Sequence, residues 1–124
     1  PEAKGGAAIA GGAGILDLFP HARVRSSLCG VSTEAVQRGY SDKTTARGGQ
    51  ELPAALKIGY ACKKGLKPES PNQDDFCIFT VDGTSIFGVF DGHGPYGHDI
   101  SNFAQMHLPR HFVQDPHLQD DPEK

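Results

Sequence analysis

The chain has no segment approaching the ~18 consecutive apolar residues of a spanning helix, which excludes a helical membrane span. Its net charge is only -3, so bulk electrostatics draw it to neither nucleic acid nor a membrane surface. Its three cysteines, Cys29, Cys62 and Cys77, are odd in number and have no CxxC spacing. They read as small buried hydrophobes in a reducing compartment rather than as a disulfide framework or a zinc site, which places the protein in the cytoplasm or nucleus. The Ala/Gly-rich start lacks the basic region and dense apolar core of a signal peptide. It begins at Pro1 without an initiator methionine, and this is read as the mark of a piece cut from something longer.

At 124 residues the chain allows one small domain at most. Residues 1–14 are mostly Gly and Ala, which offer little apolar area against a high backbone entropy. From Ser26 to Pro53 the sequence is polar and punctuated by glycine, readable as linker with a short edge strand around Ser27–Val31. Residues 1–55 are therefore expected to be a largely irregular extension, and 56–124 the structured part. Leu56–Cys62 alternates as a strand does. A loop follows to Asp75, then strands over Phe76–Val81 and Ser85–Phe90, joined by Asp82-Gly83. Beyond Pro95, apolar residues from Ile100 to Phe112 recur at helical spacing, with Pro109 expected to kink or end the helix. Residues 114–124 read as an acidic loop. Three strands and one helix bury only a modest core, and the class is α+β as the opening of a larger domain.

The most chemically pointed stretch is Phe87-Gly88-Val89-Phe90-Asp91-Gly92-His93-Gly94, an apolar strand that delivers one carboxylate to a glycine turn. The hairpin makes the flanking strands antiparallel, so the start of one lies beside the end of the other. That brings Asp74, within Asn72-Gln73-Asp74-Asp75, up to Asp91. Two carboxylates without a basic partner repel each other unless a cation sits between them, and Mg²⁺ or Mn²⁺ suits oxygen ligands. The Gly92 carbonyl is a further ligand where no side chain obstructs approach. His93, following the carboxylate on the exposed side of the turn, is placed to give a proton to a leaving group.

Each residue also has a plainer reading. Asp74 alone caps a turn, Asp82-Gly83 is a hairpin turn and nothing more, and His98, His107, His111 and His117 sit at irregular surface or helix spacing. An EF-hand starting at Asp91 fails, because its obligatory glycine falls on Tyr96.

The string at 87–94, preceded by Asn72-Gln73-Asp74-Asp75-Phe76, resembles the protein phosphatase 2C family, the metal-dependent serine/threonine protein phosphatases, over about residues 56–113. The resemblance implies a β-sandwich flanked by helices. It also implies hydrolysis of phosphoserine or phosphothreonine in a protein substrate by water activated between two Mn²⁺ or Mg²⁺ ions. Carried over by position, Asp91 is the carboxylate bridging both metals, Gly92 the backbone-carbonyl ligand, His93 the general acid and Asp74 the acidic residue near the metals. Gln73 stands where many members carry glutamate.

The family's phosphate-binding arginine has no evident counterpart, since Glu69 falls near its place; Lys63, Lys64 and Lys67 are the available point charges. The later aspartates that complete the family's metal site have no counterpart in Asp115, Asp120 or Asp121, so the remainder of the catalytic domain is expected to be missing from this chain. The competing reading is a non-catalytic, pseudophosphatase-like module that binds a phosphoprotein or another partner.

Overall fold

The computed structural model describes residues 12–31, 40–67, 70–118 and 120. The expectations for residues 1–11, Glu69 and Asp121 lie outside the described residues. A 3₁₀ helix at Gly12–Leu18 leads into β1 (Arg25–Gly30), β2 (Thr45–Gly49), a 3₁₀ turn at Ala54–Leu56, β3 (Asp74–Val81), β4 (Thr84–Asp91) and helix α1 (Gly97–Gln114). The strands form one antiparallel sheet in the order β2-β1-β3-β4, so the class is α+β.

β3 and β4 follow the pattern expected of them. Alternation between faces sends Cys77 and Phe79 to one side and Phe76 and Ile78 to the other, and all four are buried. The strands are joined at Asp82-Gly83, where Asp82 adopts φ 52°. This turn does more than reverse the chain. The Asp82 carboxylate accepts the Arg23 and Val24 N–H groups at 2.9 and 3.0 Å, tying the hairpin to the entry of β1.

The strand expected over Leu56–Cys62 does not form. Residues 57–62 form no strand; the chain leaves the 3₁₀ turn through Lys57 at φ 52° and continues irregularly. Its periodic residues pack on a sheet face instead of joining a ladder. Ile58 and Cys62 lie against Leu28, Phe76 and Ile78, and Tyr60 stacks on Phe76 with ring centroids 5.5 Å apart. The place beside β3 belongs to β1, which is central rather than an edge. Its small residues Ser26, Ser27 and Cys29 fit between layers where larger ones would not, with Leu28 completely buried. β1 and β2 thus stand within the stretch read as linker.

Two apolar clusters hold the sheet. Ile15 and Leu16 of the first 3₁₀ helix join Cys29, Cys77 and Phe79 on one face, and Leu28, Phe76 and Ile78 form the other. Helix α1 lies along the first face. Its periodicity is helical as expected, but the face turned inward is not the apolar one. Ser101, Gln105 and Pro109, at i, i+4 and i+8, are the buried positions, whereas Ile100, Phe103, Leu108 and Phe112 are exposed. Polar groups of the sheet, described below, select that orientation. Pro109 neither ends nor breaks α1, which runs on to Gln114.

Candidate metal centre

The β3–β4 register pairs Val81 with Thr84 and carries this pairing without a slip to Asp74 opposite Asp91. Both aspartates are exposed at the open end of the hairpin. Partial loss of solvation at the strand end lifts the Asp74 pKa above its ordinary value, and the charge and hydrogen bond of Asp91 lift it further; the Gly92 N–H and the charge of Lys43 oppose the rise. Two carboxylates held face to face, one with its ionised form disfavoured, are suited to a divalent cation, which would relieve both. The donor set fits such an ion in kind. Among the described residues, no group of three or more His, Cys, Asp or Glu side chains surrounds a common point.

The turn after Asp91 is closely packed. A Cβ at Gly92 would lie 2.2 Å from the Gly97 carbonyl oxygen and 2.4 Å from that of Gln73, both backbone atoms, so only glycine fits. Gly94 takes φ 80°, and its carbonyl accepts a hydrogen bond from Gln73 Nε2. Gln73 therefore braces the turn with its amide. Asn72, itself buried, accepts the Asp74 N–H at 3.0 Å and fixes the start of β3. His93 is exposed on the same turn, two residues beyond Asp91.

Asp75 points to the opposite face. It is 1% exposed and accepts hydrogen bonds from the Phe76 N–H at 2.8 Å, Asn102 Nδ2 at 2.9 Å and Gln105 Nε2 at 3.3 Å. Gln105 Nε2 also donates to the Gly30 carbonyl at 2.9 Å. Burial raises the Asp75 pKa, against the lowering effect of these donors and of Lys43. This network explains why α1 turns Asn102 and Gln105 toward the sheet: a buried carboxylate and a strand-end carbonyl both need donors.

The lysines considered for phosphate binding are engaged elsewhere or exposed. Lys64 is buried and donates to the backbone carbonyls of Gly65 and Lys67, Lys67 is exposed, and Lys63 pairs with Asp42 at 2.7 Å. The cation that sequence reading missed is Lys43. It is 5% exposed, and its charge acts on both Asp74 and Asp75. Nothing in the local sequence around it signals burial, since it sits in a polar stretch between two other charged or hydroxyl residues, Asp42 and Thr44.

Comparison with curated protein sequences finds relatives over part of the chain. "Probable protein phosphatase 2C 35" of Arabidopsis thaliana is 42% identical over 69 residues, covering 50% of this chain and 20% of that protein. "Probable protein phosphatase 2C 33" from the same plant is 44% identical over 45 residues, 33% of this chain and 9% of that protein. Over these stretches the chain is similar in sequence to protein phosphatase 2C proteins. It spans a fifth or less of the length of these phosphatase 2C relatives. No family model and no solved structure matches it. The four-stranded sheet and single helix are compatible with a portion of a phosphatase 2C fold.

Proposed function

We propose that the polypeptide to which this chain belongs hydrolyses phosphoserine and phosphothreonine in proteins, using Mn²⁺ or Mg²⁺. The observation that carries the reading is the register placing Asp74 opposite Asp91 beside the Gly92 turn. Asp91, the Gly92 carbonyl and Asp74 would hold the metal pair, which would lower the pKa of water and offset phosphoryl charge. Gly92 keeps the backbone close to the site and donates its N–H to Asp74, while Gln73 braces the turn through the Gly94 carbonyl. His93, exposed on that turn, gives a proton to the departing seryl or threonyl oxygen. Residues 56–124 belong to the catalytic unit, and β1 and β2 extend its sheet on the N-terminal side.

Two carboxylates and one carbonyl leave most metal positions to water, so the 124-residue chain binds Mn²⁺ weakly and turns over slowly or not at all. The longer polypeptide is the subject of the test: Mn²⁺-dependent hydrolysis of a phosphoserine peptide is expected, and Asp91→Asn removes it. Undiminished turnover in that variant would exclude the reading.

A non-catalytic module that binds a phosphoprotein is the second reading, favoured by one observation. Gln73 is a neutral amide already committed to the Gly94 carbonyl. Calorimetric titration of the longer polypeptide with Mn²⁺ separates the two, because a module of this kind has no tight metal site.

A further inference from the structure

His107 and His111 stand four residues apart within α1, and both are exposed. This spacing puts the two imidazoles on one side of the helix, with Cβ atoms about 5–6 Å apart. Long side chains on a helix lean toward its N-terminus. His107 does so, its ring lying 4.1 Å from that of Phe103 between centroids, and the same lean brings His111 toward His107. The lone pair of an imidazole nitrogen lies in the ring plane, so the Phe103 ring against the face of His107 leaves it open to a ligand. Neither histidine belongs to the Asp74–Asp91 centre. The Gly92 turn packs on Gly97 at the start of α1, and His107 lies ten residues, about 15 Å, further along the axis. The cysteines offer no competing thiolate, because burial pushes the Cys29, Cys62 and Cys77 thiols up.

We propose that His107 and His111 chelate a divalent ion of the zinc class on the outer side of α1. Imidazole suits such ions, whereas Mg²⁺ and Mn²⁺ favour oxygen ligands. Two histidines one helical turn apart, on one face, are a spacing that holds zinc. Among the described residues no third His, Cys, Asp or Glu side chain joins the pair, so water fills the rest of the shell. The site is therefore weaker than a closed zinc site with four protein ligands. An ion that bridges one turn binds the helix in preference to the unfolded chain, and so stabilises α1. The site uses none of Asp74, Asp91 or Gly92, so it stands or falls apart from the phosphatase reading.

The test titrates the full 124-residue chain with Zn²⁺ by calorimetry, in excess Mg²⁺ to occupy carboxylate sites, and follows the ring resonances of its six histidines by NMR. Saturable binding is expected, with the His107 and His111 rings shifting together and Tm rising. His107→Gln and His111→Gln are each expected to weaken it by about tenfold or more, as for loss of one arm of a chelate. Combining His111→Gln with Leu108→His keeps the number of histidines but makes the pair adjacent in sequence, where the rings do not face each other. That double variant is expected to bind as weakly as His111→Gln alone. Absence of saturable binding, ring shifts confined to other histidines, or undiminished affinity in any of these variants overturns the proposal. His107, Leu108 and His111 are all exposed, so the substitutions are expected to leave the fold intact. Should a variant fail to fold by circular dichroism, the wild-type ring shifts decide: joint movement of His107 and His111 supports the site, and its absence overturns it.

Discussion

Asp74 and Asp91 face each other across one rung of the hairpin, and their relation sets the chemistry at the residue scale. The Asp74 pKa is raised, so its ionised form is disfavoured in the fold relative to the unfolded chain. A raised carboxyl contributes stability while protonated and loses it as pH rises through the folded value. In EDTA, the stabilisation from Asp74 should therefore grow as pH falls from neutral into the upper carboxylate range. Asp74→Asn should flatten that component of the pH dependence of Tm, and a curve identical to wild type would contradict the assignment. Opposed like charges on a sheet also destabilise by less than about 1 kcal/mol, screened further at an exposed site. Asp91→Asn in the metal-free chain is thus expected to raise Tm slightly, measured by calorimetry, even though the same change removes a metal ligand.

At the scale of elements, the turn after β4 and the seat of α1 hold the site in shape. Gly92→Ala places a Cβ against two backbone carbonyls that cannot swing aside, so the turn itself has to move. The expected cost is about 1–3 kcal/mol, the range for steric overpacking, seen as a lower urea midpoint. Helix α1 is keyed to the sheet by Gln105, which serves both Asp75 and the Gly30 carbonyl. Gln105→Leu keeps the bulk but leaves those acceptors short of a donor, with an expected loss of about 1–3 kcal/mol. If denaturation shows no loss, the seat is not set by these bonds. The apolar spacing along α1 was legible in the sequence, but its direction was not. Ile100, Phe103 and Leu108 recur at helical spacing yet stay exposed, because the buried Asp75 calls for the amides on the other side.

Across the whole molecule, apolar surface remains uncovered on two sides. Phe87 and Val89 stand 61% and 85% exposed on β4, and α1 presents Ile100 and Phe103 at 62% and 64%. β4 is also a sheet edge, which templates association when left open. The isolated chain is expected to bind a hydrophobic dye and to self-associate. Val89→Lys combined with Phe103→Lys should reduce both, as read by dye fluorescence and light scattering, with little loss of secondary structure. Unchanged scattering would mean these faces do not drive association.

The sequence by itself determined the hairpin and the meeting of Asp74 with Asp91. Both depend on local contacts, where a two-residue connection at Asp82-Gly83 sets the register of everything above it. The Asp-Gly-His-Gly turn and its family likeness were readable for the same reason. The partner of β3, the burial of Lys43 and the inward face of α1 were decided only by tertiary structure. β1 lies some fifty residues before β3, and its Ser-Ser-Leu-Cys pattern outcompetes the better-looking 56–62 segment because small residues pass between two layers. Lys43 and Gln105 are buried by what surrounds them rather than by what they are. A polar side chain goes inside when distant groups supply its counterpart, and no window of local sequence carries that information.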